Sequence, residues 1–440
     1  MLLDFFQIRP AERRLFSWSA AWFITVLAAY YIVRPVREAM GSIEGRKELP
    51  WLFTATFLTM LVAVPVYSRL VNLYSRRKLV PVIYRFLACN LLAFSLAMWV
   101  IPEEHQRYVA RVFFVWVAVY VLFMTSLFWS VMADLYSRPD GKRLFGTIAG
   151  CGTIGSILAS TLVGLRAGEI GTKLLLIMSA ALMEFGLLCF RRLIREKERL
   201  EAAQSEPGVD LGASDAAATQ QRTADDEDDG RPAGSLFSGF IRVVTSPYLR
   251  SIMLFTLCTT CCGTFLYLTQ ADMLRNAFQD NDARTAAFAR IDLMTQILTL
   301  IFQLVVAARL MKFSLTLTLC ALPVVYATGI LALALTPSLA VLVVFMVVSR
   351  SVTYGLAVPS VGVLYTVVSR EDKYKAKSVI DTVVIRGGDV SCNWAIAGLR
   401  EAGRSAAFVA WAVLPVAVLS IAIGCLLSYR NSQARVAASG

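Results

Sequence analysis

Twelve times in its 440 residues the chain runs for close to a bilayer's depth with few or no charges. A hydrocarbon layer about 30 Å thick is crossed by about 20 helical residues rising ~1.5 Å each. Inside such a layer every backbone N–H and C=O needs a partner within the protein, which leaves only helices or closed barrels. The runs match that ~20-residue length, so they read as spanning helices. They fall near 15–36, 50–69, 79–101, 108–134, 144–165 and 173–190, then near 248–272, 286–311, 314–336, 339–368, 379–399 and 405–429. Only 17% of residues are charged, against about one-quarter in soluble chains. The expected fold class is an all-α integral membrane protein of twelve transmembrane helices in two six-helix halves.

The opening "MLLDFFQIRPAERR" places its basic residues after the first apolar patch and offers no small-residue cleavage site, so no cleaved signal is expected. Between the two sets of runs, 191–246 begins basic (Arg191, Arg192, Arg195, Lys197, Arg199) and continues through "ATQQRTADDEDDGRPAGS". That composition is too polar to bury a core and reads as a flexible linker. The expected division is 1–190 for the first half, 191–246 for a partly disordered cytoplasmic linker, 247–431 for the second half and 432–440 for a tail.

The net charge of +12 would suggest nucleic acid in a soluble protein, but no soluble module is present to bind one. Here Lys and Arg mark cytoplasmic loops. "RPAERR", "YSRRK" at 74–78, "SRPDGKR" at 137–143, the start of the linker and "SREDKYKAK" at 369–377 fall on one side. Both termini are expected there, in the cytoplasm of a bacterial inner membrane. The opposite loops carry fewer positive charges (Arg46, Lys47, Arg166, Arg404).

Enzyme chemistry has little to build on. There is no G-x-x-x-x-G-K-[ST] phosphate loop, no Ser/His/Asp set and no paired-carboxylate arrangement. The single histidine, His105, lies in a short outer turn. The nine cysteines all sit in apolar stretches, and "CTTCC" at 258–262 lacks a second ligand pair, so neither a disulfide framework nor a metal site is expected. No cofactor is expected either.

What remains is charge inside the membrane, where an unpaired charge costs about 2.5–3.5 kcal/mol even on lenient scales. Arg34, Arg37 and Glu38 close the first run; Arg85 lies in the third and Glu184 in the sixth. Asp272 ends the seventh, Asp292 lies in the eighth, Arg350 in the tenth, and Asp381, Arg386 and Asp389 in the eleventh. Arg111 and Asp134 sit at run ends, where capping or snorkelling suffices. At about 100° per residue Arg386 and Asp389 lie about 60° apart and can pair. Asp381 is about 140° from Arg386 and needs another partner. Gly387 and Gly388 leave room for that helix to loosen. In the fifth run Gly152, Ser156, Ser160 and Gly164 form a small-residue stripe, and Gly146 with Gly150 a GxxxG, both suited to close helix contact.

"YSRPDGKRLFGTIAGCG" before the fifth run is echoed by "VSREDKYKAKSVIDTVVIRGG" before the eleventh. A six-run offset is the mark of parallel repeats, as in the major facilitator superfamily. "SRLVNLYSRRK" at 68–78 resembles that superfamily's loop between its second and third spans, without the usual acidic residue. More narrowly, "YYIVRPVREAM" (30–40), "LFWSVMAD" with "GKRLFG" (127–146) and "KYKAKSVIDTVVIRGG" (373–388) resemble the ATP/ADP translocase family of nucleotide transporters. Arg34, Arg37 and Glu38 match the family's basic and acidic positions at the end of the first span. Leu127, Phe128 and Trp129 match its L-F-W, and Gly141 to Leu144 its A-K-R-F/L. Lys373, Lys375, Lys377, Asp381, Arg386 and Gly388 match its eleventh-span motif, with Ala376 in place of a glycine. Val117 stands near the family's fourth-span glutamate, and Asp389 where a basic residue follows the motif glycine.

The resemblance implies a carrier that exchanges nucleotides, gripping phosphates with basic groups. The expectation is a secondary transporter of an organic, phosphorylated anion by alternating access, exchange or proton-coupled, with membrane lipid as its surroundings and a monomer as its working unit. Arg34, Arg37, Arg85, Arg350, Arg386 and Lys377 are expected to bind substrate. Glu38, Glu184, Asp292, Asp381 and Asp389 are expected to couple or pair. A carrier of lipid or drug-like substrates and a non-transporting scaffold or sensor are the alternatives.

Overall fold

The structure is a computed structural model and describes residues 9, 12–43, 48–205, 236–303, 314–369, 372, 376–377 and 379–439. Among the described residues twelve long helices follow one another: α1 (Arg13–Gly41), α2 (Leu49–Leu73), α3 (Arg76–Val100), α4 (Gln106–Leu135), α5 (Arg138–Ile170) and α6 (Thr172–Ser205) form the first half. The second half is α7 (Pro247–Ala277), α8 (Asn281–Ile301), α9 (Leu315–Leu335), α10, α11 and α12 (Ala406–Ser439). Helix α10 runs Leu339–Val352, passes through a π turn at Thr353–Ala357 and continues as Val358–Leu364. Helix α11 opens with a π turn at Ile380–Val384 and continues as Ile385–Glu401. Side-chain caps fix several starts: Ser137 accepts from the Asp140 amide, Ser246 from Leu249, Asp280 from Ala283 and Ser338 from Val341.

Among the described residues, ten of these helices are long and apolar enough to cross a membrane; α8 and α11 are the two that are not. Both carry intramembrane charges: Asp292 on α8, and Asp381, Arg386 and Asp389 on α11. On α8 the usual amphipathic logic is reversed: Arg284, Asp292, Thr295, Gln296 and Thr299 are buried, while Met294, Ile297 and Ile301 are exposed. A helix surrounded by lipid turns its polar stripe toward protein.

The echo at 137–143 and 369–377 has a structural counterpart. Ser137 Oγ accepts from the Asp140 amide at 3.4 Å, and Ser369 Oγ from the Asp372 amide at 3.2 Å. The basic start of the linker continues α6 as helix to Ser205, and a short helix at Leu236–Thr245 leads into α7. The acidic part of the linker lies outside the described residues, as do Lys373, Lys375 and 304–311 of the eighth run.

The halves meet most tightly on the face away from the termini, the far face. Ala39, Leu49, Leu52 and Phe114 of the first half join the core of the second there. Asp282 Oδ1 accepts from the Thr172 amide at 3.0 Å and from the Thr172 hydroxyl, capping α6 from the opposite half. Arg284 Nη1 donates to Ser42 Oγ at 2.9 Å and Ala39 O at 3.3 Å, at the C-terminal end of α1. Acid thus meets a helix N-terminus and base a helix C-terminus, the favourable pairing with each dipole. Midway, Arg290 Nε donates to Gly164 O at 2.9 Å and Gln296 Nε2 to Ser156 Oγ at 2.7 Å. On the terminal face a separate core cluster, from Val243 to Leu427, draws on the second half and the short helix that leads into it.

The small-residue stripe of α5 packs on both sides. A Cβ at Gly152 would collide with the Phe23 ring, and one at Gly164 would lie 3.1 Å from Arg290. The tightest approach is at Gly155, where a Cβ would run into the Ile24 carbonyl oxygen. Gly146 and Gly150 have nothing within 4 Å, so the GxxxG is not a contact here. In α11, Gly388 packs on Leu257 of α7 and Gly387 faces open space; the looser turn lies earlier, at Ile380–Val384.

Candidate functional site

A cavity of about 620 Å³ lies between the halves. Lys377, Ile380 and Asp381, at the terminal-face start of α11, line its mouth; Arg37, Glu38 and Tyr267 line it toward the far-face seal. It therefore extends from the terminal-face start of α11 inward to Glu38.

Its innermost wall is electrostatic. Arg34 of α1 and Arg350 of α10 both reach one carboxylate: Nη1 of each lies 3.4 and 3.3 Å from Asp292 Oδ1. Asp292 is 2% exposed, and both of these cations come to it from other helices. Arg350 Nη2 also donates to Gln270 Oε1 at 3.2 Å, and Arg34 Nη1 to the Tyr31 hydroxyl at 3.3 Å. One carboxylate offsets two guanidiniums, so this corner holds one positive charge in excess while still offering N–H donors to the cavity.

Arg37 is held differently. Nε donates to Phe114 O at 3.0 Å, the guanidinium sits 3.8 Å over the Phe114 ring, and Nη1 lies 2.9 Å from Glu38 Oε1. Glu38 also accepts from the Tyr267 hydroxyl at 2.5 Å, bridging α1 to α7. At the α11 wall the i,i+3 pair expected from spacing is present but loose: Arg386 Nη1 is 4.0 Å from Asp389 Oδ2. Asp389 Oδ1 instead accepts from Thr264 of α7 at 2.9 Å, and the Arg386 side chain is 43% exposed. The π turns of α10 and α11 both contribute cavity wall, through Thr353, Tyr354 and Ala357 and through Ile380 and Asp381. Wide turns let a helix change pitch where it borders a ligand.

The structure thus brings together Arg34, Arg37, Glu38, Arg350, Lys377, Asp381, Arg386 and Asp389 around one space, with Asp292 directly behind it. Val117 lines it too. Arg85 and Glu184 do not join them. They pair with each other, Nε to Oε1 at 3.6 Å, across α3 and α6 on the outside of the first half. Lying mid-run is not enough; helical phase turns these two outward. Arg111 and Asp134 sit in end-of-helix pairs, with Glu48 and Arg76, each at 3.3 Å. Asp272 pairs with Arg400 at the far end of α11.

Sequence reasoning missed Gln270, Tyr267, Thr264, Arg284 and Gln296. The polar residues of α8 were legible as a stripe at spacings of three and four; the neutral partners on α7 give no signal until their neighbours are known.

Nearly the whole chain superposes on solved transporters. A point mutant of the nucleoside transporter NupG matches at a TM-score of 0.58 and 14% identity, covering 96% of this chain and 99% of that one. The POT family transporter PepTSo matches at 0.62 and 13%, covering 96% and 98%. The xylose transporter XylE from E. coli, in an inward-open conformation, matches at 0.62 and 12%, covering 94% and 95%. No curated protein matches the sequence. At such identities the likeness speaks for the fold alone. The model of the Major Facilitator Superfamily, however, matches residues 15–381. With two six-helix halves around one central cavity and that family match over most of its length, the chain belongs to the Major Facilitator Superfamily.

Proposed function

We propose that this multi-pass transporter carries a small organic, phosphorylated anion of nucleotide-like character. The observation that carries the reading is the Arg34–Asp292–Arg350 corner: two part-buried guanidiniums from opposite halves share one buried carboxylate. Arginine presents planar, paired donors that match phosphate oxygens. A phosphate arriving between Arg34 and Arg350 would bond both halves at once and relieve the excess charge. Around the whole cavity five cationic side chains (Arg34, Arg37, Arg350, Lys377, Arg386) face three acidic ones (Glu38, Asp381, Asp389). Tyr30, Tyr326 and Tyr354 supply aromatic wall for an organic body. The volume falls within the ~300–1,000 Å³ of small-molecule sites. Arg386, loosely tied to Asp389, is the mobile arm of this grip, and Lys377 draws anions at the mouth.

Arg34 and Asp292 sit on opposite halves, so rocking of the halves must break or stretch their bridge. Substrate binding and alternating access are coupled at that point, with exchange or proton movement through Asp292, Asp381 and Asp389. The resemblance to the ATP/ADP translocase family supports a nucleotide, and Val117 and Asp389 are where a different phosphorylated anion would be selected. The Lys/Arg bias supports a cytoplasmic terminal face in a bacterial inner membrane; cysteines at Ser235 and Glu103 should label from the inside and the outside respectively.

Thermal unfolding of the purified protein tests the substrate class. Nucleotides and sugar phosphates should stabilise it, by about 2.7 kcal/mol at a hundredfold excess over Kd, while neutral nucleosides and sugars leave it unchanged. Equal stabilisation by the neutral compounds would turn the reading toward a carrier that ignores charge.

A further inference from the structure

Charges inside a membrane protein almost always face its interior or a water-filled cavity. Arg85 and Glu184 break that rule. Their side chains are 53% and 50% exposed on the outer surface of the first half. Arg85 lies eight residues, about 12 Å, into α3 from Arg77, and Glu184 seven residues, about 10 Å, into α6 from Arg191. Val82, Phe86, Phe185 and Leu188 around them are each more than half exposed, so the pair sits inside an apolar band. The intramembrane charges at the cavity and along the far-face seam meet partners on several helices; among the described residues, Arg85 and Glu184 pair with each other and then face outward.

We propose that this α3–α6 face is the contact between two copies of the chain in the bilayer, with Arg85 of each copy facing Glu184 of the other. Charge complementarity selects a second copy as the occupant. A patch that carries one cation beside one anion is complementary to itself after a two-fold rotation about the membrane normal, the symmetry of an isologous dimer. Four charges then alternate in sign around a closed square, and each loses its lipid-facing side. By the same rotation Val82 and Phe86 of each copy pack against Phe185 and Leu188 of the other. The site lies on the outside of one half, away from the cavity, so the dimer contact stands apart from the substrate reading. It is the alternative to the monomeric working unit expected from the sequence.

The test sets like charges against each other across the contact, where they repel wrong pairings. The double variant Arg85→Glu, Glu184→Arg keeps the pair within each copy but reverses its direction. Donor- and acceptor-labelled proteins are reconstituted in liposomes at low density, and association is read by energy transfer. Wild type should associate with wild type, and the reversed variant with itself. Wild type mixed with the reversed variant would set Arg against Arg and Glu against Glu, and association should drop about tenfold or more. If the reversed variant does not fold, Arg85→Gln with Glu184→Gln serves: self-association should weaken several-fold while the melting temperature in detergent is kept. Free mixing of wild type with the reversed variant overturns the proposal. So does wild type that bleaches in single steps, in which case the pair stands alone in lipid with Arg85 reaching toward headgroups.

Discussion

The two halves share a topology but not a texture. The first is built around one main core cluster from Leu15 to Leu193, which also takes in Ala289 of α8 and is laced by aromatic contacts such as Phe23 on Phe128 at 4.2 Å and Trp22 on Phe128 at 4.8 Å. Its helix α5 is pressed onto the α1 backbone at Gly155. The second half divides its core into two clusters, one toward each face, and bends α10 and α11 through π turns where they border the cavity. Close-packed interiors resist deformation and transmit it whole. The two textures imply a division of labour in which the first half moves as a rigid body and the second supplies the compliance.

The sharpest way to break that comparison is at the shared carboxylate. Arg34→Ala, in the rigid half, and Arg350→Ala, in the compliant one, should each weaken anion-dependent stabilisation by about 10- to 100-fold, the loss expected for charge-assisted hydrogen bonds. If only the Arg350 variant responds, the anion is held by one half and the corner is not a bridge.

Glycines test texture directly. Gly155→Ala drives a methyl into the Ile24 carbonyl and should destabilise by about 1–3 kcal/mol. Gly387→Ala meets open space inside a helix and should stabilise by about 0.5–1 kcal/mol. Melts of the two variants in detergent compare them on one scale, and equal effects would erase the contrast.

The seam between the halves should respond more gently. Asp282→Ala removes the cap that α8 lends to α6, worth about 1 kcal/mol, or roughly a fivefold shift toward the state open at the far face. A cysteine at Leu49, buried in that seam, should then label about five times faster with an impermeant thiol reagent. Unchanged labelling would place the latch elsewhere.

The smallest effect belongs to the rim of the rigid half. The Ser137 hydroxyl, and after it Arg143, hold the Asp140 carboxyl below its ordinary range. A depressed carboxyl contributes stability above its unfolded pKa and loses it as pH falls through the folded one. Asp140→Asn should therefore lower the melting temperature slightly near neutrality and flatten the acid limb below about pH 4, so that melts of the variant and wild type converge in acid.

Much of this architecture is legible in the sequence. Run length and the linker mark two sets of six helices, and mid-run charges mark most of the cavity. The pairing of Arg386 with Asp389 follows from spacing, yet its looseness does not, because Thr264 competes for the same carboxylate from α7. Arg85 and Glu184 fall away from the cavity for a related reason. Depth along a helix can be read from a sequence by counting, whereas azimuth depends on which neighbours the helix acquires. The π turns are invisible too, since no residue type demands them.

The cap that Asp282 lends to α6 makes a helix terminus conditional. Thr172 and the residues after it form the first turn of α6, and the Thr172 amide finds its acceptor on the other half of the molecule. Each time the far face opens, that amide must trade its carboxylate for water. Hydrogen–deuterium exchange at the start of α6 thus becomes a native, label-free clock of the transport cycle, ticking once per excursion whatever the cargo.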